Sequence, residues 1–94
     1  KVNPMMQKMK ESYSFFTPEG TGSWEITEDS VSMKGWKNLT LKKSHVLEIT
    51  NLGALPLNKV SVELKYFDMF GGSEAMQFAM READFRAFKA AVGK

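Results

Sequence analysis

Cysteine is absent from this chain of 94 residues, and histidine occurs once. Without thiols there is no disulfide framework, no thiolate metal site and no cysteine nucleophile, and the redox compartment is left open. No apolar run approaches the ~18–20 residues that a membrane-spanning helix needs. Nothing in residues 1–20 combines a basic head, an apolar stretch and a small-residue cleavage site, so no signal peptide is read there. The chain opens on Lys1 and not on an initiator methionine. The expectation is a fragment of something longer, or a chain with a front segment removed, and a cytoplasmic location is favoured.

What is present is ordinary in amount and uneven in placement. A hydrophobic fraction of 43% with 26% charged residues excludes disordered and collagen-like classes. The length suits one core, in a chain small enough to hide only about 60% of its unfolded surface. The formal net charge of +2 conceals blocks. Residues 1–10 carry +3, residues 11–30 carry −5 and residues 31–43 carry +4, while residues 44–80 carry −2 and residues 81–94 carry +2. Such segregation suits a domain with one acidic and one basic face, and also suits plain solvated loops.

The apolar period changes along the chain. Asn3-Pro4 reads as a helix start, with Met5, Met6, Met9 and Tyr13 near one face, ending before the loop Thr17-Pro18-Glu19-Gly20-Thr21-Gly22. A helix of about ten residues is marginal alone, so it must dock, and three methionines give it a soft, adaptable surface. From Ser23 the period is two. Trp24 and Ile26, then Val31 and Met33, form one face of a hairpin about Glu28-Asp29-Ser30. Leu39, Leu41, Leu47 and Ile49 share a phase across Lys42-Lys43-Ser44-His45, as one bent strand or, preferably, two. Asn51 to Pro56 reads as a loop. Val60, Val62, Leu64 and Tyr66 then alternate with Ser61, Glu63 and Lys65, while Phe67 on the polar side suggests cover on both faces at that end. After a turn at Gly71-Gly72-Ser73, Met76, Phe78 and Met80 make a last strand.

Helical period returns at Phe85, Phe88 and Val92, with Gly93 as the C′ residue. The expected class is α+β: a small antiparallel barrel or curled sheet of about six strands, with a C-terminal capping helix and a short N-terminal helix. Residues 1–20 are read as amphipathic helix and Pro/Gly linker, and residues 21–94 as the β domain with its terminal helix.

Chemistry-bearing motifs are sparse. His45 stands alone beside lysines, with no spacing that suggests an orienting carboxylate or a nucleophile. Glu25, Glu28 and Asp29 lack the ligand alternation and turn glycine of a calcium loop. Gly20-Thr21-Gly22-Ser23 precedes a strand and is followed by no Gly-Lys-Ser/Thr, so it is not a phosphate loop. Asn38-Leu39-Thr40 matches the glycosylation sequon, which matters only in a secretory compartment. No cofactor, metal or small-molecule substrate is indicated, and an enzyme is not expected.

The most suggestive stretch interleaves Lys34, Trp36, Lys37, Lys42 and Lys43. Lysines attract phosphates without regard to sequence, and an exposed indole offers a flat apolar surface to a base or a lipid interface. Nucleic acid, single-stranded above all, and an anionic membrane surface would both be served. The competing reading tucks Trp36 under its loop. The methionine face of Met5, Met6 and Met9 points instead to a protein partner or a homo-oligomer.

Two stretches resemble a family. Trp24 to Met33 looks like the opening hairpin of bacterial pleckstrin-homology-like domains. Leu57 to Leu64, Ala75 to Met80 and Ala83 to Phe88 are similar to that family's closing strands and capping helix. The resemblance covers residues 23–92 and rests on pattern; the family has seven strands, and residues 1–20 have no counterpart in it. It implies a partly open barrel plugged by the terminal helix, acting as a binding or assembly module without catalysis. No basic phosphoinositide motif matches, so lipid binding is not carried over. A rival resemblance, to small immunoglobulin-like envelope domains, rests on Ile49-Thr50-Asn51, Pro56-Leu57, Val60, Val62, Leu64 and Tyr66-Phe67-Asp68; such a sandwich would end in a strand.

Overall fold

The structure, a computed structural model, describes residues 11–94. The Asn3-Pro4 helix start and Met5, Met6 and Met9 lie outside the described residues. Seven strands precede one helix: β1 (Glu11–Thr17), β2 (Gly20–Ile26), β3 (Ser30–Lys34), β4 (Leu39–Lys42), β5 (Val46–Leu55), β6 (Lys59–Phe67), β7 (Ser73–Arg81) and α1 (Glu82–Val92). A single 3₁₀ turn, Lys43–His45, separates β4 from β5. The α+β class holds.

The strands form one antiparallel sheet in the order β4-β3-β2-β1-β7-β6-β5. It does not close: β4 and β5 stand at its two edges. Its two hairpin-linked halves meet at β1 and β7, where Phe16 lies opposite Ala79. Lys59 holds its ammonium 4.6 Å from the centroid of the Phe16 ring.

The expected six strands are seven because Glu11–Thr17 is extended, where a helix was expected to run on through Tyr13. The segment Ser12-Tyr13-Ser14-Phe15-Phe16-Thr17 is rich in aromatic and hydroxyl side chains, which favour a pleated surface over a helix. Its alternation puts Phe15 wholly inside and Tyr13 half-buried on the same side. β1 pairs along its whole length with β2, from Glu11 opposite Ile26 to Thr17 opposite Gly20.

The core lies between the inner face of the curled sheet and α1. Trp24, Ile26, Val31 and Met33 are buried, as are Val60, Val62, Leu64, Met76, Phe78 and Met80. The period-2 reading holds for these hairpins. Phe85, Phe88 and Val92 close the core from α1, again as their spacing predicts. Gly93, at φ 86°, ends the helix, and its N–H bonds the carbonyls of Lys89 at 3.0 Å and Ala90 at 3.1 Å. The helix start is tied to the sheet by the Glu82 N–H, which donates to the Asn58 carbonyl at 2.9 Å.

β5 departs from the expected pattern twice. The 3₁₀ turn resets the phase, so Val46 is buried and Leu47 faces solvent. Asn51 to Leu55 is strand and not loop, paired with β6 out to Leu55 opposite Lys59. Register breaks between Val46 and Glu48 and between Asn51 and Gly53 erase the alternation that would have marked it. At the second break the Gly53 N–H donates to Asn51 Oδ1 at 2.8 Å.

Candidate functional site

The basic–aromatic segment divides over the β3–β4 hairpin. Lys34 ends β3, and Trp36 and Lys37 lie in the turn that follows. Trp36 is half-buried: its ring packs 6.1 Å from Phe15, while the Lys37 ammonium sits 4.8 Å above its outer face. Lys42 lies at the other end of β4, opposite Ser30. Four residue steps along β3 separate Ser30 from Lys34, about 13 Å at the usual rise of a strand. Lys42 and Lys43 line a cleft with Glu28, Asp29, Ser30 and Ser44. The Lys43 N–H donates to the Asp29 carbonyl at 3.0 Å. The +4 block is therefore two separate pairs, one beside a tryptophan and one beside two acids.

His45 is exposed, and it shares a shallow cleft with Phe67, Asp68, Met69 and Gly71. This cleft leads to the β6–β7 turn, expected at Gly71-Gly72-Ser73, where no expectation attached to Met69 and Phe70. Phe67 pairs with Ser73, which leaves Asp68-Met69-Phe70-Gly71-Gly72 as the tip. Met69 is 85% exposed and Phe70 88%. Asp68 organises them from both sides. Its Oδ1 accepts the Phe70 N–H at 2.9 Å and the Gly72 N–H at 2.8 Å. Its own N–H donates to the Gly72 carbonyl at 2.8 Å, and its carbonyl accepts the Gly71 N–H at 3.0 Å. The tip is a built loop that holds two large apolar side chains in water. Phe67, expected to be covered, is also exposed. Next to the tip, burial raises the Tyr66 phenol above its ordinary range, helped by the nearby charges of Glu74 and Asp68.

A second apolar surface lies at the end of β5 and the β5–β6 turn, where Leu52, Leu55 and Leu57 are exposed. Leu57 has φ 65° and Asn58 φ 60°, both left-handed. Leucine is out of place there, since its Cβ crowds the backbone and it has no polar group to bond locally in return. Both surfaces left a trace in the sequence: Met69-Phe70 is an apolar pair inside a turn that ends in Gly-Gly, and Leu57 follows a proline in another turn. Among the described residues no cluster of three or more acidic or histidine side chains is placed to hold a metal ion.

The chain matches no protein-family model. It also matches no curated protein.

Proposed function

We propose that this chain is a non-catalytic binding and assembly module of the pleckstrin-homology-like kind, working through contacts with protein partners, its own copies included. The observation that carries this reading is the β6–β7 tip, with Met69 and Phe70 held out by four backbone and side-chain bonds of Asp68. Single exposed apolar residues are common on any surface, but contiguous ones on an ordered loop mark contact sites. A core hidden on every side by sheet and helix leaves a domain of this size its rims for function.

The architecture also supports the family likeness. Seven antiparallel strands followed by a helix packed on the inner face match the strand count and the capping helix that the resemblance implies, with β1 as a counterpart that residues 1–20 were expected to lack and with Trp24 to Met33 as the second and third strands where the opening hairpin was expected. The terminal helix counts against the immunoglobulin-like alternative. The basic–aromatic alternative has less in its favour, because half of its lysines sit beside Glu28 and Asp29.

The test is photo-cross-linking from a probe amino acid at position 70, in cells of the native host, against the same probe at exposed Glu19. Discrete adducts from position 70 alone are expected; the same pattern from both positions would remove the reading. A low-salt titration with single-stranded oligonucleotides is expected to leave tryptophan fluorescence unchanged. Salt-sensitive quenching would instead favour a nucleic-acid module.

A further inference from the structure

We propose that the free edge of β5 is where two copies of this chain pair, strand against strand, through residues 51–58. This names a partner for the self-association part of the reading above and rests on it, but uses a surface separate from the Met69–Phe70 tip.

The two edges of the sheet are not alike. β4 has four residues, with Lys37, Lys42 and Lys43 at its ends. Short length and lysines are the usual means of keeping an edge from recruiting another strand. β5 has ten residues and one charged side chain, Glu48, which lies 4.0 Å from Lys65. Among the described residues no strand pairs with its outer side. One edge is thus guarded and the other is left open.

The open edge also has an unusual surface. All eight residues from Asn51 to Asn58 are exposed, and none is charged, in a chain where 26% of residues are. Three of the eight are leucines, and one of those, Leu57, is 81% exposed in a backbone conformation that leucine disfavours. The helix reaches this strand as far as Ile49, whose carbonyl accepts the Lys89 ammonium at 3.3 Å. Beyond that bond the strand runs uncovered to the turn.

The lack of charge selects the occupant. A charged partner strand would find no counter-ion along residues 51–58, whereas a second copy brings the same neutral, leucine-bearing edge and nothing to repel. A two-fold axis satisfies such a self-complementary contact and closes it at two chains. With the axis at Leu52, Leu52 of each copy would face Leu52 of the other, Asn51 would face Gly53, and Thr50 would face Ala54. Main-chain hydrogen bonds would supply attraction and the leucines would lose water.

Size-exclusion chromatography with light scattering, over a dilution series of the full chain, is expected to show a dimer that Leu52→Lys converts to a monomer. Leu52 is exposed, so the variant keeps the circular dichroism spectrum of the parent. The cysteine-free background allows a second reading of the same contact. Mild oxidation is expected to link Leu52→Cys chains covalently, and to leave Phe70→Cys chains unlinked. A parent that stays monomeric throughout, or a Leu52→Lys variant as dimeric as the parent, overturns the proposal. A dimer lost with Phe70→Ser but kept with Leu52→Lys would move self-association to the tip, refuting this inference while sparing the proposed function. A monomeric parent together with no specific adduct from position 70 would end both.

Discussion

Trp24 and Phe88 lie ring on ring, with centroids 5.4 Å apart and planes inclined by 27°. One belongs to β2 and the other to α1, so this contact fastens the helix to the half of the sheet farthest from it in sequence. Phe15 and Phe78 complete the cluster, with Trp24 at 5.9 Å and 5.6 Å from them. All four are buried in a domain whose sheet is joined at its middle by little ladder pairing. The aromatic cluster spans that join from inside.

Truncating Phe88 to alanine should therefore loosen the helix and the join together. Loss of a buried phenylalanine costs about 3–5 kcal/mol, which is much of the ~5–15 kcal/mol that holds a domain folded. The urea midpoint of Phe88→Ala, followed by tryptophan fluorescence, should drop by a large fraction. A shift within experimental error would mean that α1 is only loosely attached.

Gly22 is fixed by contact and not by dihedral preference. A Cβ placed there would lie 2.4 Å from the Lys34 carbonyl oxygen and 2.5 Å from Cζ of Phe15. The first is backbone of the neighbouring strand and the second is a fully buried ring, so neither can withdraw cheaply. Overpacking of this kind costs about 1–3 kcal/mol. Gly22→Ala should melt several degrees lower than the parent, with Trp36 fluorescence altered because its ring rests on Phe15. An unchanged melting temperature would contradict the packing of β2 against β3.

The hairpins β2–β3 and β6–β7 and the helix were legible because each has one wet and one dry face, and a period of two or of 3.6 follows directly. β1 was misread because the Met9 to Tyr13 spacing imitates a helical step, while the Tyr13–Phe15 alternation spans too few residues to outweigh it. β5 was illegible for a different reason: two register breaks and an exposed outer half leave no period to read. The basic segment was visible as composition, but only pairing shows that β4 carries Lys42 away from Lys34. The apolar tip and the neutral β5 end were hidden by the habit of reading leucine and phenylalanine as core. Sequence pattern finds buried faces well and finds exposed apolar ones poorly.

Tyr13 should give the fold a dependence on alkaline pH. Its hydroxyl donates to Glu11 Oε1 at 2.6 Å, and this bond, then burial, then the charges of Glu11 and Asp84, push its pKa up to about 12. The folded state thus favours the protonated phenol more than the unfolded chain does, whose phenol titrates near 10. Between those values the native protein binds more protons, so stability falls as pH rises. The contribution is complete below about pH 10 and is lost by about pH 12. Phenolate absorbance should resolve a late-titrating tyrosine that Tyr13→Phe removes and Glu11→Gln brings down. A Tyr13 phenol that titrates near the ordinary value of about 10 would show that the Glu11 bond does not form.

Leu57 offers the opposite case, a residue whose replacement should strengthen the fold. At φ 65° it carries a cost of roughly 1–2 kcal/mol that an L side chain other than asparagine, aspartate or glycine cannot easily avoid. Asparagine tolerates the left-handed region and suits a turn whose next residue, Asn58, is left-handed too. The exposed leucine side chain packs on nothing within its own chain that asparagine would forfeit. Leu57→Asn should thus raise the melting temperature by about 4–8 °C, the shift expected for ~1 kcal/mol in a domain of this size. The comparison belongs in the Leu52→Lys background, where strand pairing between copies is blocked and the measurement reports the turn alone. A gain there, with a loss of dimer when Leu57→Asn is placed in the parent, would show that leucine is kept at a strained position for what it touches on another molecule. No gain in either background would mean that the turn accommodates leucine without strain.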